Sequence, residues 1–86
     1  MSFLTIESDE TGEQILVHGT PDRLRRLASA LLQLAEKSEA SGPDHFHMLS
    51  DEWGGDGQLT AEHQSQEPGW RIAHHLKVFA WPSTDV

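Results

Sequence analysis

The chain has 86 residues, six Lys and Arg against fourteen Asp and Glu, a net charge of −8 and no cysteine. That length makes one domain, placed here at residues 1–82 with a loose tail at 83–86, and leaves no room for a deep cofactor cavity. The acidic balance argues against nucleic-acid backbones and anionic membranes as partners, and the missing cysteines exclude a disulfide framework, a thiol nucleophile or a Cys-type zinc site.

Residues 3–7 alternate and carry β-formers, so they read as a strand. Asp9 and Gly12 mark a turn, and residues 14–18 read as a second strand. So short a link allows only an antiparallel hairpin. Thr20, Pro21 and Asp22 then form a helix start, as N-cap, first helical residue and acid at the positive dipole end. Leu24, Leu27, Leu31 and Leu34 recur at spacings of three, four and three. They predict one apolar stripe on a helix running to about Ser38, with Ala28 and Ala35 beside it.

Ser41, Gly42 and Pro43 end the helix, and residues 44–49 read as a third strand. Its apolar positions, Phe46 and Met48, alternate with His45 and His47. A polar, glycine-containing connection follows, ending at Pro68 and Gly69. Residues 70–81 read as a fourth strand stopped by Pro82. The expected fold is α+β in the order ββαββ, a four-stranded antiparallel sheet with one helix packed on one face. The other face is left for water, a second copy or a partner. No membrane-length apolar run is present, and Met1 to Ile6 is too short for a signal peptide, so a cytoplasmic location is expected.

If Phe46, Met48, Ile72, Leu76 and Val78 face the helix, then His45, His47, His75, Lys77, Phe79 and Trp81 face outward. Three histidines on one rigid face form a candidate metal site, which the strand register decides. The bland alternative is a polar patch. Phe79 and Trp81 could instead join two copies face to face. His18 and His63 have no evident place.

From Ser38 to Trp70 the chain carries seven acids and no lysine or arginine. Within that run, Asp51, Glu52 and Asp56 flank Trp53. Read as an enzyme, this is a carboxylate pair beside a sugar-stacking tryptophan, but so small a chain offers no cleft to raise one pKa. Read as a binding loop, it is an aromatic anchor among acids that select a basic partner. A solvated turn anchored by a buried Trp53 is the third reading. The glycines at 54, 55 and 57 lack the lysine and helix of a phosphate loop and read as turn residues. Arg23, Arg25 and Arg26 read mostly as a solvated face, and no catalytic triad signature is present.

The hairpin, the Gly19-Thr20-Pro21 helix start with Leu24, Asp44-His45-Phe46-His47, Glu52-Trp53-Gly54-Gly55 followed by Leu59, and residues 75–82 closing on Trp81-Pro82 resemble a known group. It is the bacterial immunity proteins of polymorphic toxin systems, and within them immunity protein family 32. The resemblance spans nearly the whole chain. It implies an α+β fold, no catalysis and no cofactor, and a role in binding and neutralising a cognate toxin made by the same cell. The residues expected to contact that toxin are Asp51, Glu52, Trp53 and Asp56, with His45, His47 and His75 beside them. A basic toxin suits them best.

Overall fold

The computed structural model describes residues 1–83. The elements run β1 (Leu4–Ser8), β2 (Ile15–Gly19), α1 (Pro21–Ser41), β3 (Asp44–Leu49), a 3-10 turn (Asp51–Trp53), β4 (Arg71–Ile72) and β5 (His75–Ala80). The class is α+β, with one helix and antiparallel pairing throughout both sheets. Of the tail expected at 83–86, residues 84–86 lie outside the described residues.

The expected single four-stranded sheet is corrected to two sheets, ordered β2-β1-β4 and β3-β5. The fourth strand is broken at Ala73 and His74. Ile72 pairs with Glu7 and the Ala73 amide donates to Ile6 O (2.8 Å), so the chain leaves along β1. One residue later His74 O accepts from Ser50 N (2.9 Å), and His75 pairs with Leu49. The pleat slips at this break, because Ala73 and Leu76, three apart, both pack against the core. In an unbroken strand only residues two apart would share a face. Ile72 therefore lies on the Glu7 side and not, as expected, beside Leu76.

The core is thin. Leu4, Ile6 and Leu59 form its buried cluster, with Leu27, Met48, Ala73 and Leu76 packed around it. The helix lies across β2, β3 and β5. Thr20 stands at the N-cap position, but its hydroxyl donates to Asp22 (2.5 Å) and makes no capping bond of its own. The helix buries Arg23, Leu34 and Ser38 and half-buries Leu27 and Ala30. The covered stripe thus keeps Leu27 and Leu34 of the leucine pattern and has Arg23 and Ala30 in place of Leu24 and Leu31. Leu24 and Leu31 sit on its flank, each more than two-fifths exposed, and Ala28 and Ala35 are exposed outright. Gly42 ends the helix, its amide donating to Ser38 O (3.0 Å).

Arg23 is not the solvated cation expected of it. Its guanidinium donates to Gly57 O (2.6 Å) and, through a shorter bond, to Gln58 O. The helix is thereby tied to the loop that carries Trp53. Arg23→Met keeps the apolar stem and removes the charged donors. Loss of these two bonds is expected to cost about 2 kcal/mol, read as a lower urea midpoint at unchanged slope.

The expected open side of the sheet is also corrected, because half of it is covered. On β1, Thr5 and Glu7 point away from the helix, yet both are fully buried. Residues 60–65 lie over them. Thr5 Oγ1 donates to Thr60 O (3.1 Å) and Glu62 O (3.2 Å). The Glu7 carboxylate accepts from Ser65 N (3.2 Å) and Ser65 Oγ (3.0 Å) and meets His63 Nδ1 at 3.1 Å. His18 Nε2 lies 2.9 Å away, outside hydrogen-bond geometry. His18 and His63, unplaced by sequence pattern, thus flank one buried acid.

Candidate functional site

The uncovered half of the molecule is the outward face of β3 and β5. Register sets His45 opposite Phe79, His47 opposite Lys77 and Leu49 opposite His75. Alternation then places His45, His47, His75, Lys77 and Phe79 on one face, as the sequence predicts, and Phe46, Met48, Leu76 and Val78 toward the helix. His45 lies against Phe79 (ring centroids 5.4 Å), and Phe79 against Trp81 (6.5 Å). His47 lies against His75 (5.5 Å). Lys77 Nζ sits 5.1 Å from the Phe79 centroid, a cation over an aromatic face. The result is an exposed strip of rings.

The metal reading of these histidines is corrected. His47 and His75 are diagonal neighbours, and His45 is 6.3 Å from His47 edge to face. The three line a row and do not converge. Among the described residues no three His, Cys, Asp or Glu side chains are placed to hold a metal ion.

At the end of β3 the chain turns sharply, and Ser50 directs the turn. Its side chain is buried, its carbonyl accepts from Trp53 N (3.0 Å) and Gly55 N (2.9 Å), and its hydroxyl meets His74 Nδ1 at 2.8 Å. Gly54 closes the turn at φ 89°, a left-handed conformation that disfavours any side chain. Gly55 approaches the Leu49 carbonyl so closely that a Cβ there would overlap it. Beyond it, Ser50 forms a bridge with Leu59, and Leu59 drops into the core. The two glycines of Glu52-Trp53-Gly54-Gly55 have different tasks, then: one supplies the handedness of the turn, the other the close approach.

Trp53 is held outward by this turn. Its ring stacks on His74 at 5.2 Å and 2°, yet 59% of the residue remains exposed. One face of the indole is supported and the other is open. Asp51, Glu52 and Asp56 are exposed around it. Glu52 reaches His74 Nε2 only at 4.0 Å, and among the described residues no lysine or arginine pairs with any acid. The reading of Trp53 as a buried anchor is thereby excluded. Because His74 adjoins His75, the turn borders the His47–His75 end of the ring strip.

The chain's residues 14–67 match the model of a protein family, immunity protein 32. The chain belongs to that family. The match runs from β2 to the segment over Glu7, and includes Asp51, Glu52, Trp53, Asp56, His45 and His47 but not His75. Neither the curated proteins nor the solved structures compared with this family member gave a match. No helix among its described residues is long and apolar enough to cross a membrane.

Sequence pattern missed Arg23, Glu7, His63 and Ser65, whose contacts shape the loop between β3 and β4. The signal for Arg23 was its place on the helix, one turn before Leu27 and on the same side. No local signal marked Glu7, since a polar residue alternating in a strand reads as solvent-facing.

Proposed function

We propose that the protein binds and neutralises a cognate toxin without catalysis, through the Asp51–Trp53 turn, Asp56 and the adjoining His45, His47 and His75. Membership of the immunity protein 32 family supports the toxin as partner. The observation that carries the choice of surface is Trp53, a tryptophan supported on one face, open on the other, and ringed by acids with no internal cation. Buried aromatic anchors dominate interface energetics, and unpaired carboxylates around them select a cationic surface and speed encounter. A basic toxin would be met by the part of the chain that carries seven acids and no lysine or arginine. In this reading the protein works in the cytoplasm, where it occupies the toxin before the toxin reaches its target.

The test is co-expression with a candidate cognate toxin, together with a binding measurement. Trp53→Ala combined with Asp51→Lys and Glu52→Lys is expected to weaken binding at least about a hundredfold and to abolish protection of growth. Wild-type association should slow as salt rises. Unchanged affinity in a variant with native circular dichroism would reject this surface.

A further inference from the structure

The edge of β2 is open, and its chemistry is unlike that of the acidic loop. Thr20 N donates to Phe3 O (3.1 Å) and Asp9 N to Gln14 O (3.2 Å). Bonded and non-bonded pairs alternate along an antiparallel ladder. The bonded pairs of the β1–β2 register are therefore Thr5 with His18 and Glu7 with Leu16. Ile15, Val17 and Gly19 stand at the other positions, so their N–H and C=O groups point away from β1. Among the described residues no backbone group meets them.

Ile15 and Val17 are also the strand's exposed apolar side chains, at 59% and 49%. Opposite them in register are Ser8 and Ile6, which places both on the core face of the sheet, beside the helix. The flank of the helix adds exposed Leu24, Leu31 and Leu32. Edge strands are usually guarded by a charge, a proline or a bulge. Residues 14–20 contain no charged side chain and no proline, and all five residues of β2 pair with β1 without a bulge.

We propose that this edge is where a second copy of the chain docks, β2 against β2, about a twofold axis at Val17. Antiparallel pairing in that register bonds Val17 to its own counterpart and Ile15 to Gly19 of the second copy. Each outward backbone group then finds an identical set opposite it, as an isologous contact requires. The two three-stranded sheets join into one of six strands. The same register sets Glu13 opposite Pro21 of the second copy, beside the exposed Asp22, so acids lie only at the two ends of the contact.

Charge favours a second copy over a basic partner at this edge. Two chains of net charge −8 repel, and they meet at least cost where the paired strands themselves carry no acid. Residues 14–20 meet that condition, and residues 38–70 do not. A basic partner would find nothing on this edge to steer it.

Sedimentation of the full chain over a wide dilution series, at low and high salt, tests the proposal. A dimer is expected, tightening as salt screens the net repulsion, whereas toxin binding should weaken with salt. Hydrogen exchange at the Ile15, Val17 and Gly19 amides should slow only at high protein concentration. Val17→Lys, at a half-exposed position, should weaken the dimer at least about tenfold with unchanged circular dichroism. A monomer at every concentration overturns the proposal. So does a dimer that Val17→Lys leaves intact, or one abolished by Phe79→Ser with Trp81→Ser. Slowed exchange at these amides only on adding a toxin that the protein neutralises would assign the edge to that partner and overturn it equally.

Discussion

Gly55→Ala is expected to cost about 3 kcal/mol and to disable the candidate binding surface at the same time. A methyl group at this position overlaps the Leu49 carbonyl oxygen and would lie 2.6 Å from its carbon and 2.9 Å from Leu49 Cβ. These are backbone and near-backbone atoms, which cannot rotate aside. The displaced carbonyl is the acceptor for Leu59 N (3.3 Å), and Leu59 is 1% exposed in the core. Damage at the turn therefore travels into the core, while the Trp53 platform loses the Gly55 bond to Ser50 that shapes it. Gly54→Ala supplies the contrast. Space is open around Gly54, so only its left-handed backbone resists, at about 1 kcal/mol. Urea midpoints of the two variants, read with Trp53 fluorescence, check the order. Equal costs would mean that the Leu49 contact is relaxed cheaply.

Glu7→Ala is expected to lower stability by about 3 kcal/mol, a large share of the roughly 4–13 kcal/mol that holds a chain of this length. The carboxylate is fully buried, and its removal leaves Ser65 N, Ser65 Oγ and His63 Nδ1 without their acceptor. Residues 60–65 would lift from β1. Hydrogen exchange should show Ser65 unprotected while the β3–β5 ladder stays protected.

The same carboxylate gives stability a pH dependence. Burial pushes its pKa up, but the hydrogen bonds from His63 and Ser65 and the electrostatic effect of His18 pull harder, so it ends below its ordinary 4.5. The folded state then holds fewer protons than the unfolded chain in this range. Glu7's contribution is complete above about pH 4.5 and is lost as pH falls through the lowered folded value. Asp22, held at about 2 by hydrogen bonds from Ser2 and Thr20, adds a second loss between 3.8 and that value. Glu7→Gln should flatten the acid limb from its onset near pH 4.5 and leave the loss due to Asp22. An unaltered limb in Glu7→Gln would mean that the carboxylate is not the group being titrated.

Covering Glu7 and exposing Trp53 are parts of one design. The connection between β3 and β4 has two halves. Residues 51–57 stand out from the sheet, and residues 59–65 lie down on it through Leu59, Thr60 and Ser65. Arg23 grips the join at Gly57 and Gln58. For the proposed binding, a loop anchored on both sides would present its aromatic at low entropic cost, since little ordering would remain to be done.

Several features were legible in the residues alone, each because a local rule governs it. The first hairpin follows from two alternating runs around Asp9 and Gly12, the helix from Thr20-Pro21 at one end and Gly42 at the other. The outward row of His45 and His47 follows from the period of two in β3. That no lysine or arginine lies near Asp51, Glu52 and Asp56 along the chain was legible too. Their freedom from distant cations was decided by the fold, since Arg23 reaches the same loop and bonds its carbonyls instead. Tertiary structure alone decided the rest. Ile72, Leu76 and Val78 alternate as one strand would, and only hydrogen bonds to Ile6 and from Ser50 divide it between two sheets. Glu7 alternates as a solvent-facing residue would, and only a segment 56 to 58 residues away buries it. A side-chain period specifies which face a residue joins. It carries no information about which distant segment covers that face, because that choice is made by long-range hydrogen bonds and burial available only once the chain has closed on itself.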